Sequence, residues 1–147
     1  MTKMLNVVFV FFSLCAVKNL YGDAISISAS PATFTVNSAI SAGQGLQPVT
    51  NTTTTYNVST STAQSKRITG RLSAAITPGS FKVQLTAPSG ATSAGAITLS
   101  TTNQSLVTGI PGFANATALP INYTFTANIN GTQVSNATVS FTITVTI

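Results

Sequence analysis

Aspartate, glutamate, histidine and cysteine are the side chains that hold metals and move protons near neutral pH. In this chain of 147 residues the whole supply is Asp23 and Cys15. Both lie in or beside an N-terminal stretch that reads as an export leader, so the mature chain is expected to hold neither. What remains is hydroxyls and a few cations. A lysine can activate a serine in place of the usual histidine, and the lysines beyond the leader are Lys66 and Lys82. Lys82 falls on the polar side of an alternating run and Lys66 falls at a turn. Neither is expected to be buried deeply enough to act as a base. No Gly-x-Ser-x-Gly elbow, phosphate-binding glycine loop or Ser-x-x-Lys at a helix start is present. The composition points away from an enzyme, with no metal and no cofactor expected.

The leader runs from Met1 to Ala24. A basic start at Lys3, an apolar run from Met4 to Val17 and a more polar stretch from Lys18 to Ala24 give the three parts of a secretory signal peptide. The apolar run is short for a membrane span. Cleavage after Ala24 or after Gly22 fits, because both leave small residues near the cut. Lipidation at Cys15 is one alternative, disfavoured by the bulky Leu14 and Phe12 before it, and an uncleaved anchor is another that is equally disfavoured. No second long apolar run follows, so the mature part is expected not to cross a bilayer. The reading is a signal peptide over 1–24 and one domain over 25–147. The destination is secreted or cell-surface, a fimbrium or the periplasm if the cell is Gram-negative.

A domain of this length can build a core without disulfides. Serine and threonine make up about a third of it, yet its apolar residues alternate with polar ones instead of scattering. Ile25 and Ile27 open the pattern. Tyr56 and Val58, then Ile68, Gly70 and Leu72, then Phe81, Val83 and Leu85 continue it. Ile97 and Leu99, Ile121 to Ile129 and Val139 to Ile147 complete it. Turn signals stand between the runs at Pro78-Gly79, Pro88-Ser89-Gly90, Pro111-Gly112 and Asn130-Gly131. The expected fold is all-β, an immunoglobulin-like antiparallel β-sandwich of seven to eight strands. Long loops are expected over 40–52 and 88–95, with a crossing between sheets over 111–120. The apolar phase slips at Pro31, which suits an edge strand that leaves one sheet for the other. Tyr123 follows Leu119-Pro120-Ile121-Asn122 in the manner of a tyrosine at a sandwich corner.

Lys66, Arg67, Arg71 and Lys82 are the cations beyond the leader. If 68–75 and 80–87 pair across Pro78-Gly79, then Arg67, Arg71 and Lys82 share one outer face as a basic stripe. Such a stripe attracts an anionic glycan, or it only keeps a hydroxyl-covered surface soluble. Nucleic acid is not expected, because the aromatic residues lie on core faces and not on a stacking platform. Rows of threonine at 124 and 126 and at 142, 144 and 146 read as solvated strand faces. The several Asn-x-Ser/Thr triplets follow from the composition.

Ala24-Ile25-Ser26-Ile27-Ser28-Ala29-Ser30 resembles the alternating N-terminal extension of alternative chaperone–usher fimbrial subunits, the colonisation-factor type. Gln44-Gly45-Leu46-Gln47 and Lys66-Arg67-Ile68-Thr69-Gly70-Arg71-Leu72 are similar to early strands of that family. The run Val139 to Ile147 is similar to its chaperone-binding strand. The resemblance implies a structural or adhesive surface subunit that joins identical subunits by strand addition, with a periplasmic chaperone as a further partner. Ile25, Ile27 and Ala29 would be the donated side chains. Thr146 stands where type 1 subunits carry a tyrosine, and 96–129 has no counterpart in the colonisation-factor subunits. A self-contained secreted β-sandwich that binds glycans or host surfaces is the other reading.

Overall fold

The alternating runs fold as strands. The computed structural model describes residues 5–7, 22–28, 34–36, 47–76, 79–127 and 141–146. Every regular element among them is a β-strand. In chain order these are β1 (Leu5–Val7), β2 (Ala24–Ile27), β3 (Phe34–Val36), β4 (Val49–Ser59), β5 (Lys66–Leu72) and β6 (Gly79–Leu85). They are followed by β7 (Thr92–Ser93), β8 (Ile97–Thr98), β9 (Gln104–Ile110), β10 (Asn115–Ala127) and β11 (Phe141–Thr146).

Two antiparallel sheets carry the chain, a five-stranded one in the order β2-β4-β10-β6-β8 and a four-stranded one in the order β11-β5-β9-β7. On β6 and on the second halves of β4 and β10 one parity is buried and the other is more exposed, as a sheet with one wet face requires. On β6, Phe81, Val83 and Leu85 are buried while Lys82 and Gln84 are exposed. On β10, Ile121, Tyr123, Phe125 and Ala127 line the core. The rings of Tyr123 and Phe81 stack with centroids 5.7 Å apart. From the four-stranded sheet, Ile68, Leu72, Leu106, Val107 and Ile110 complete the same cluster.

Several expectations change. β5 and β6 do not form a hairpin, because they lie in different sheets. The loop expected over 40–52 is shorter at its end, because β4 already begins at Val49. The crossing expected over 111–120 takes only 111–114, since β10 starts at Asn115 and pairs at once with Ser59. β3 pairs with β1 in a separate two-stranded ribbon and joins neither large sheet. Pro31 and the 88–95 region divide differently: Pro31 lies outside the described residues, and the short β7 interrupts 88–95.

Tyr123 is not at a corner but in the middle of β10, fully buried. Burial pushes its phenol well above the ordinary value, with Thr54 beside the hydroxyl pulling slightly the other way. The tyrosine that ties side chain to backbone is Tyr56 on β4. Its hydroxyl donates to the Thr86 carbonyl at 2.5 Å, reaching over β10 to the end of β6.

Candidate functional site

At one end of the sandwich the core-facing rows of two strands run out into charge. Lys66 is the first residue of β5 and has the inward parity of Ile68, Gly70 and Leu72. Its side chain is 0% exposed, which corrects the expectation that it lies in a turn and is not deeply buried. Asp23 directly precedes β2 and has the inward parity of Ile25. The two meet across the gap between the sheets, with Nζ 2.9 Å from Oδ2. The other carboxylate oxygen accepts from the Ser61 N–H at 2.7 Å and from the Ser61 hydroxyl at 3.2 Å. No further hydrogen-bond acceptor among the described residues reaches the ammonium.

Partial burial pushes the Asp23 carboxyl up. The Lys66 ammonium and the Ser61 hydrogen bonds outweigh that and hold it below the ordinary carboxylate range. The carboxylate is thus a charged acceptor at neutral pH, and both of its oxygens are engaged. A general base works best with a pKa near the working pH, and this carboxyl is held well below that, so its geometry is that of a clasp. Asp23 is thus tied to the two sheets through Lys66 and Ser61.

The neighbouring loops are locked to this end. The Thr60 hydroxyl donates to the Pro111 carbonyl at 2.9 Å and accepts from the Ala114 N–H at 2.7 Å. The Thr60 N–H donates to the Ala114 carbonyl at 2.9 Å. Between those anchors Gly112 lies against the backbone of Thr62 and Ala63, so close that a Cβ would stand 2.6 Å from Ala63. Phe113 follows with a left-handed φ of 59° and 70% of its surface exposed. An aromatic residue seldom adopts that backbone conformation, and it persists here because the flanking bonds fix the loop.

The remaining candidates scatter. Ile25 is buried in the chain's own core, Ile27 is half-buried, and Ala29 lies outside the described residues. β2 pairs with its own β4, Ile25 opposite Val58 and Ile27 opposite Tyr56. The basic stripe is not formed. Arg67 and Arg71 are exposed on β5, whereas Lys82 is exposed on β6 in the other sheet, so they occupy opposite outer faces. At the far end of β5 a half-open cleft of about 200 Å³ is lined by Leu72, Ile76, Phe81 and Leu99 and carries no titratable side chain.

Among the described residues no three metal-ligating side chains come together, and no helix is long and apolar enough to cross a membrane. The fold defines an all-β protein of two antiparallel sheets around one core. Comparison with family models, curated proteins and solved structures finds no match.

Proposed function

We propose that this chain is an exported, non-enzymatic structural or adhesive surface protein, a fimbrial-type subunit of immunoglobulin-like build that joins its copies by strand addition. The observation that carries this reading is the edge between the sheets. β11 pairs with β5 on one side, and among the described residues no strand pairs with its other side. β2, the edge strand of the facing sheet, approaches it there. An open strand edge beside a core is the place where an added strand gains both ladder hydrogen bonds and side-chain burial. β2 is itself four residues long and held through one partner strand, which makes it the element most readily exchanged between copies. An exterior of hydroxyls and amides and a clasp in place of disulfides suit a protein that must stay soluble and rigid outside the cell.

Light scattering on the exported protein tests this. Masses at multiples of one subunit that persist on dilution support strand-linked assembly. A single sharp monomer at all concentrations removes it.

A second reading is favoured by a separate observation. Phe113 is a large apolar side chain presented on a rigid loop, and β2 closes its own sheet in the same chain. Both suit a monomeric module that binds a glycan or host surface through the loop, with the Phe113 ring packing on a sugar face. Loss of glycan retention on Phe113→Ala, with an unchanged melting point, would support that reading.

A further inference from the structure

The export reading leaves two cleavage sites open, after Gly22 and after Ala24, and resting on that reading we infer that the leader is removed at the Gly22–Asp23 bond. Hydrolysis there adds one water across the peptide. It leaves a carboxylate on Gly22 and an α-ammonium on Asp23, which becomes the first residue of the mature protein.

A leader is cut from an emerging, unfolded chain, so the fold bears on the product of the cut. After a cut at Gly22–Asp23 the interactions described for Asp23 and β2 survive, while the β1–β3 ribbon goes with the leader. Asp23 keeps Lys66 at 2.9 Å and both hydrogen bonds from Ser61. β2 keeps its whole register on β4, from Ala24 opposite Ser59 to Ile27 opposite Tyr56. The new α-ammonium stands beside the Asp23 carboxylate and is attracted to it. Gly22 puts a small residue directly before the cut, which suits leader removal.

A cut after Ala24 undoes the same end. Lys66, 0% exposed, loses its charged partner and has no other acceptor among the described residues. A buried charge stripped of its partner is among the most destabilising single changes. The new α-ammonium would fall on Ile25, whose side chain is in the core, and would add a second cation near the unpaired Lys66. The first rung of the β2–β4 ladder would go with Ala24. The position of Asp23 is thus set by the fold and not by the leader.

The test is the intact mass and N-terminal sequence of the protein recovered after expression of the full chain in an exporting host. The expected first residue is Asp23. A mature protein that begins at Ile25, or at any other residue, overturns the inference while leaving export standing. Recovery of the uncut 147-residue chain overturns both, so the two failures are told apart by mass alone. A second readout compares chains released with Asp23 or with Ile25 as the first residue. The chain starting at Ile25 is expected to melt about 10 °C lower or more, and equal melting points would overturn the structural basis of the inference.

Discussion

The Lys66 ammonium lies 2.9 Å from the Asp23 carboxylate and joins the start of β5 in one sheet to the residue before β2 in the other. The pair closes one end of the core. Removing one partner of a buried pair leaves a bare charge, whereas replacing both by apolar groups is often nearly neutral. Asp23→Ala is therefore expected to cost about 3 kcal/mol. The double variant Asp23→Ala with Lys66→Met should recover most of that loss. Urea unfolding of the two single variants and the double variant checks it; a fully additive cycle would mean that the pair is not coupled.

The same pair gives the stability a defined pH dependence. The folded carboxyl titrates below its unfolded value of about 3.9. Its contribution is thus present above that value and is lost as pH falls through the lower folded one. With no histidine and no other acidic side chain in the sequence, only the α-amino group, and Cys15 where the leader is kept, titrate between about pH 5 and 9, and neither is part of the Asp23–Lys66 pair. Melting points should be nearly flat over that range and drop below about pH 4. In Asp23→Asn the acid drop should largely vanish.

At alkaline pH the tyrosines take over. Burial pushes the Tyr56 phenol up to about 12, and that of Tyr123 also rises. For a raised pKa the stability is fully present below the unfolded value of about 10 and is lost as pH climbs through the folded one. In a protein that begins at Asp23 these are the two tyrosines left. Tyrosinate absorbance should appear in one step, together with loss of the β-sheet circular dichroism. A tyrosine that ionises near pH 10 in the folded protein would contradict the burial described.

The loop that carries Phe113 separates close packing from backbone strain. Gly112→Ala would drive a Cβ into the backbone of Thr62 and Ala63, which cannot yield as a flexible side chain would. It is expected to cost about 2 kcal/mol. Phe113→Gly removes a mostly exposed ring and relieves a left-handed backbone, so stability should hold or rise by about 1 kcal/mol. Denaturant midpoints of both variants decide this, and a large loss in Phe113→Gly would mean that the ring is packed after all.

Much of the fold is legible in the alternation. Phe81, Val83 and Leu85, and Ile121 to Ala127, are buried as their parity requires. Parity also carried the signal for the clasp, since Lys66 shares the phase of Ile68 and Leu72, and Asp23 that of Ile25. Grouping Lys66 with its charged neighbour Arg67 hid that phase, and a boundary drawn through the leader hid Asp23. Sheet membership is a different matter. Pro78-Gly79 serves a hairpin and a crossover equally well, so local pattern does not tell that β5 and β6 part, and the basic stripe dissolved with the hairpin. Tyr56 and Tyr123 are both buried, and only the three-dimensional path over β10 to Thr86 shows which one binds backbone.

The proposed strand addition requires that residues 25–29 complete the sandwich without a covalent link. The most direct test removes residues 23–30 and returns them as a peptide of residues 23–36, followed by thermal melting with circular dichroism. The account predicts that the trimmed chain has no cooperative melt and that the peptide restores one, with a midpoint that rises with peptide concentration. A trimmed chain that melts as sharply and as high as the untrimmed one, unmoved by the peptide, would contradict it.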